Sequence, residues 1–189
     1  MKSDFEVDRL PSKVLVFSVT AAGLLHNSIF VSSTPEILRS LGESENLAGL
    51  LIAAGSVPGI VVAPLIGFLA DRFGRKKVLI PCLVIYGVFG ILVGLSPSLF
   101  WFLLIRIFQG LGSAGLINLV VVIISDNWAG LDRARLIGQN AAAITISVAI
   151  YPVLGGAVTD LLSWRWVFLV FLAPLVVAFF VSKSSNSLL

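Results

Sequence analysis

Between two apolar runs, each long enough to cross a bilayer, the chain places the thirteen residues Gly67-Phe-Leu-Ala-Asp71-Arg72-Phe-Gly74-Arg75-Lys76-Lys77-Val-Leu79. Four of its thirteen lysines and arginines fall within six residues of that stretch. Charge of that density cannot lie in hydrocarbon, so the turn must sit at a membrane surface with a helix leading away on either side. As an anchor it follows the rule that basic loops stay on the cytoplasmic side. The acid and the two glycines held in register suggest more: Gly67, Asp71, Arg72, Gly74, Arg75 and Lys76 form a candidate conformational latch.

Composition bears out the membrane reading. The chain is 58% hydrophobic and 12% charged, with a mean hydropathy of +1.04, well outside the range of soluble domains. A span by helix needs roughly 20 predominantly apolar residues. Six such segments are predicted, at about 13–34, 47–70, 78–95, 99–125, 136–159 and 164–182. Residues 1–12 form a polar tail, too acidic for a cleaved signal, so the first helix is expected to be retained. Residues 183–189 read as the start of a central cytoplasmic loop. The expected fold class is all-α membrane, with six transmembrane helices.

With the N-terminus inside, the inner segments carry Lys2, Arg9, Lys13, Arg72, Arg75, Lys76, Lys77, Arg133, Arg135 and Lys183. The outer loops carry only Arg39 and Arg165. That asymmetry predicts both termini in the cytoplasm of a plasma (inner) membrane, multi-pass protein. The basic balance therefore reports orientation, and no nucleic-acid partner is implied. One cysteine, Cys82, excludes a disulfide framework. No metal spacing, nucleophile motif or carboxylate pair is present, so neither enzyme, metal nor cofactor is expected.

Pro64-Leu-Ile-Gly67 followed by Asp71 and Arg75 closes the second helix. Pro152-Val-Leu-Gly155-Gly156 followed by Asp160 and Arg165 closes the fifth. A repeat displaced by three helices predicts two three-helix units, the second inverted in the membrane. Gly55, Gly59, Ala63 and Gly67 recur every four residues on the second helix, a face for close helix approach. Gly110, Pro152, Gly155 and Gly156 are further candidates for helix packing. Polar residues within the spans are candidates for a substrate cavity: Thr20, His26 and Asn27 on the first helix, Arg106 and Gln109 on the fourth, Asn140 and Tyr151 on the fifth. Arg106 lies about 10 Å inward of Leu99, at about 1.5 Å rise per residue. It either faces protein and a watery cavity or snorkels to the interface. His26, the only histidine, is either a coupling group or a neutral hydrogen-bonding partner. The four tryptophans fall near helix ends and read first as interfacial anchors.

The Gly67–Leu79 segment resembles the signature loop between helices two and three of the major facilitator superfamily. Leu103-Leu-Ile-Arg106-Ile-Phe-Gln109-Gly110-Leu-Gly112-Ser-Ala-Gly115 is similar to that family's fourth-helix arginine motif. Ser163-Trp164-Arg165-Trp166-Val-Phe168 is similar to the start of helix six in its multidrug and drug:proton antiporter branches. The resemblance covers residues 14–182 and implies the N-terminal six-helix half of a twelve-helix secondary transporter. It also implies an Asp71–Arg75–Asp126 charge network steadying the outward-facing state; the alternative is that Asp126 pairs with Arg133 or Arg135. Tyr151-Pro152 stands where drug antiporters of this type carry Gly-Pro. No acid lies within the six predicted spans, so a carboxylate proton relay would belong to a second half. The expected partners are the lipid bilayer, a missing C-terminal six-helix half or a second copy, a small-molecule substrate of unknown identity, and protons. Efflux is the expected direction. A six-helix remnant or assembly subunit that does not transport alone, and a solute uptake carrier, stand as alternatives.

Overall fold

The computed structural model describes residues 13–183, without the side chains of His26, Asn27 and Ile117. Every regular element among the described residues is helical. Five helical stretches are long and apolar enough to cross a membrane: Glu45–Phe73, Arg75–Val93, Leu99–Asn127, Gly130–Leu161 and Trp164–Lys183. Lys13–Gly23 is apolar but shorter.

The first span departs from the continuous helix predicted over 13–34. It consists of α1 (Lys13–Gly23), α2 (Leu25–Ser28), a 3-10 turn at Val31–Ser33 and α3 (Thr34–Ser40). Pro35, expected near the end of that helix, instead sits in the first turn of α3, where its missing N–H is no loss. Tertiary contacts account for the interruption. The Ile29 carbonyl lies against Gly155, and the fully buried Phe30 ring lies 4.2 Å below the Arg106 guanidinium carbon. Close backbone approach at one point and an aromatic ring at the next override a straight helix.

The second and third spans are α4 (Ala48–Phe73) and α5 (Arg75–Val93). A single residue joins them: Gly74, with φ 95° and ψ 144°, a conformation that glycine adopts without a Cβ clash. The fourth span is α6 (Leu99–Ser113) and α7 (Leu116–Asn127), and the fifth is α8 (Gly130–Leu161). The sixth comprises α9 (Trp164–Val167), a 3-10 turn at Phe168–Phe171 and α10 (Leu172–Lys183). Relative to the predicted spans, α4 runs on to Phe73, α5 starts at Arg75 and α8 starts at Gly130, because these helices continue past the apolar residues into their charged ends.

α5 packs against α4, α6 and α10, while α1 packs against α7, α8 and α10. Where hydrocarbon supplies no hydrophobic drive between helices, small residues that admit close packing take over that role. A Cβ at Gly112 would fall 2.6 Å from the Tyr86 amide nitrogen, and one at Gly90 would strike the Phe171 ring. Phe102 meets Trp164 and Phe168 edge-on, at 6.4 and 6.2 Å between ring centroids. Trp164 is therefore a core residue, contrary to its expected anchoring role, whereas Trp101 and Trp166 are exposed. α4 and α8 turn large apolar side chains outward, among them Ile60, Val61 and Phe68, and Ile146 and Val153.

Candidate functional site

Two sets of polar residues stand out, one at the α4–α5 turn and one inside the bundle. At the turn, Arg75 Nη1 pairs with Asp71 Oδ1, and Arg75 Nε donates to Asp126 Oδ2 at 3.2 Å. One guanidinium thus joins the end of α4, the start of α5 and the end of α7. Asp126 takes Arg75, and no ion pair to Arg133 or Arg135 is found among the described residues. The Arg75 side chain is 20% exposed, its partners 68% and 51%.

None of the three charges is where a helix dipole would favour it. Asp71 and Asp126 close helices whose C-termini are negative, and Arg75 opens a helix whose N-terminus is positive. Each placement costs about 0.3–1 kcal/mol in isolation, so capping does not explain the cluster. Mutual attraction offsets these costs, leaving a clamp with little net stability. The other members of the candidate latch differ in their surroundings. Arg72 lies 5.4 Å over the Phe73 ring, Lys76 is half-buried beside Arg75, and Gly67 has open space where a Cβ would project.

Inside the bundle, the cavity candidates do not share one open face. Five have described side chains, and these form separate contacts within the six-helix unit. Thr20 Oγ1 donates to Asn140 Oδ1 at 2.6 Å, and Tyr151 Oη donates to the Ala21 carbonyl at 3.0 Å. Both bonds tie α8 to α1. Asn140 and Tyr151 of the fifth helix are therefore turned onto the first helix. The side chains of His26 and Asn27 lie outside the described residues.

Arg106 Nη1 donates to Gln109 Oε1 at 2.9 Å, and both residues are fully buried. Arg106 does not snorkel; its guanidinium rests on Phe30 and against Gly55. Gln109 Nε2 is buried with no hydrogen-bond acceptor among the described residues, a deficit typically worth about 1–3 kcal/mol. A buried cation beside an amide donor of this kind suits an anionic or carbonyl oxygen.

The glycine stripe of α4 is divided between two surroundings. A Cβ at Gly59 would fall 2.9 Å from the Gly110 carbonyl, and one at Gly110 would overlap that of Gly55. Gly55 and Gly59 thus pack on α6 inside this unit. At about 3.6 residues per turn a four-residue step advances roughly 40°, and at Gly67 the stripe faces open space. On α8, the backbone of Gly155 meets Ile29, while Gly156 lies in ordinary contact with Ser32. Pro152 lies within α8, as Pro64 lies within α4. The repeat of the charged residues does not extend to their pairing. Arg165, the counterpart of Arg75, donates to the Gly94 and Ser96 carbonyls at 2.7 and 3.2 Å rather than to Asp160.

The Thr20–Asn140 bond joins residues 120 positions apart in the chain. A double-mutant cycle of Thr20→Val and Asn140→Leu, read by thermal unfolding in detergent, is expected to give a coupling of about 0.6 kcal/mol, the average for such bonds between membrane helices, and no more than about 1.7 kcal/mol. Additive effects would show that the bond does not tie the helices together.

The sequence model of the Major Facilitator Superfamily matches residues 15–184. The chain belongs to the major facilitator superfamily. Among curated proteins it is 32% identical over 160 residues to the bacillibactin exporter of Bacillus subtilis, covering 81% of this chain and 39% of that protein. It is 28% identical over 154 residues to the multidrug transporter protein MdtP of the same organism, covering 82% and 28%. Among solved structures, a bacterial homologue of the human lysosomal transporter Spinster, inward-facing and occupied, superposes with a TM-score of 0.82 at 20% identity. That match covers 92% of this chain and 43% of the other. A D-xylose–proton symporter gives a TM-score of 0.77 at 18% identity, covering 93% and 48%. The chain spans less than half the length of each of these four proteins. It has the major facilitator fold at half size, and it is a multi-pass membrane protein of a transporter family.

Proposed function

We propose that this chain is the N-terminal half of a secondary-active exporter that moves small molecules by alternating access, in a plasma membrane with both termini cytoplasmic. The observation that carries this reading is the Arg75 clamp. It unites three helix ends at one membrane face with weak net stability, as an element that must close and reopen in each cycle would require. Export is supported by the likeness to an exporter and a multidrug transporter. Arg106 and Gln109 would serve as a polar centre for an anionic substrate group or for proton coupling, reached when the bundle opens. A second reading, a six-helix subunit that does not transport alone, is favoured by the polar candidates being paired within the bundle rather than lining an open face. Native mass spectrometry from detergent distinguishes the two: a transporting pair of halves is expected as a two-unit assembly, a lone remnant as a monomer.

The orientation has its own test. With Cys82→Ser as background, Pro97→Cys is expected to react with an impermeant maleimide in intact cells. Phe73→Cys, in the basic turn, is expected to react only after permeabilisation. Phe73→Cys labelled from outside with Pro97→Cys protected would reverse the topology.

A further inference from the structure

At the end of the bundle opposite the Arg75 clamp, Arg165 stands at the mouth of an apolar groove. The groove has a volume of about 300 Å³ and is lined by Ile91, Leu95, Trp166, Phe168 and Leu169, with Gly94 at its edge. Arg165 Nη1 is fixed by the Gly94 and Ser96 carbonyls at 2.7 and 3.2 Å. The guanidinium carbon lies 4.4 Å over the ring of the buried Trp164. Backbone and indole thus hold the group in one orientation. No carboxylate lies within ion-pair distance of it among the described residues, and the side chain is exposed. Only Nη1 of the guanidinium is used in these two bonds. Trp166 and Leu95, 55% and 70% exposed, form the outer lip.

We propose that this groove seats an anionic glycerophospholipid, with its phosphodiester on Arg165 and an acyl chain along Ile91, Leu95 and Leu169. Two features of one site select that occupant. A pre-oriented guanidinium with no carboxylate partner among the described residues forks onto a phosphate and favours a headgroup of net negative charge over one whose phosphate is already neutralised by its own ammonium, and the walls beside it contain only hydrocarbon and indole. A soluble anion would use the first feature and leave the second uncovered. An indole at the lip suits the headgroup level of a bilayer. The topology proposed above puts this seat in the outer leaflet, but the seat itself does not depend on that orientation.

The test is native mass spectrometry of the chain released from detergent micelles, titrated with phosphatidylglycerol, with phosphatidylcholine of the same acyl chains, and with glycerol 1-phosphate. The first phosphatidylglycerol is expected to bind about fivefold more tightly than phosphatidylcholine, as one basic side chain at a membrane surface allows. Arg165→Gln should abolish that preference and Arg165→Lys should keep part of it. Leu95→Gln changes an exposed residue, so it should spare the fold and weaken both lipids; it decides the matter should Arg165→Gln fail to fold. Equal binding of the two lipids by the unaltered chain, a preference that survives Arg165→Gln, lipid binding untouched by Leu95→Gln, or glycerol 1-phosphate binding as tightly as phosphatidylglycerol would each overturn the proposal.

Discussion

Gly155→Leu is expected to abolish the folded bundle. A Cβ at Gly155 would overlap the Ile29 carbonyl oxygen, a clash with backbone that no rotamer relieves. Overpacking a well-filled core costs about 1–3 kcal/mol where side chains can yield, and here the yielding group is the interruption in the first span. Relieving the clash means moving α8 off that span, with loss of the Ser33 Oγ–Thr159 Oγ1 bond at 2.6 Å and the Tyr151 bond to Ala21. A folded domain holds only about 5–15 kcal/mol in reserve. Gly138→Leu on the same helix, with nothing within 4 Å of its Cβ position, is the matched control. Retention of monodisperse protein after gentle heating in detergent should be lost for the first variant and kept for the second. Equal survival would place the contact outside the core.

Arg75→Ala is expected to change conformation and turnover rather than folding. Exposed ion pairs contribute about 0–1 kcal/mol, and both acids in the clamp are more than half exposed. A loss of about 1 kcal/mol leaves insertion and thermal stability nearly unchanged, yet it shifts a two-state equilibrium about fivefold. Turnover of a transporter assembled with a second half should therefore fall several-fold at unchanged membrane abundance. Arg75→Lys should recover only part of it, because an ammonium cannot fork between two carboxylates as a guanidinium does. Asp71→Asn and Asp126→Asn should each act in the same direction. Full turnover in Arg75→Ala would reduce the cluster to an anchor.

The features legible in the sequence are those decided locally. Asp71 and Arg75 lie one helical turn apart across a glycine, so their pairing follows from spacing, and Asp126 joins them because α7 ends at the same face. Span existence follows from runs of apolar residues, but span ends do not, since Arg75 and Asp132 continue helices that hydropathy alone would stop. The interruption of the first span carries only a weak local signal: Gly23 ends α1, but Leu24–Phe30 contains neither glycine nor proline. Its causes are Arg106 and Gly155, distant in the chain. For the same reason the polar residues of α1, α6 and α8 read as one cavity, although the structure distributes them between helix–helix bonds and a buried Arg106–Gln109 pair. Their types indicate that they avoid lipid; only packing decides whether they meet a cavity or one another. Trp164 shows the converse, an indole placed near a span end by sequence and drawn into the core by Phe102 and Phe168.

In the proposed transport cycle, Arg75 holds the α4–α5 turn against the end of α7 as an element with two positions. The most direct measurement is the electron-spin distance distribution between nitroxides at Phe73→Cys and Leu131→Cys, both exposed, with Cys82→Ser, in lipid nanodiscs. The shorter distance is expected to dominate in the otherwise unaltered chain, with the longer population raised about fivefold relative to it in Arg75→Ala and in the same direction in Asp71→Asn. Identical distributions in all three proteins would contradict it.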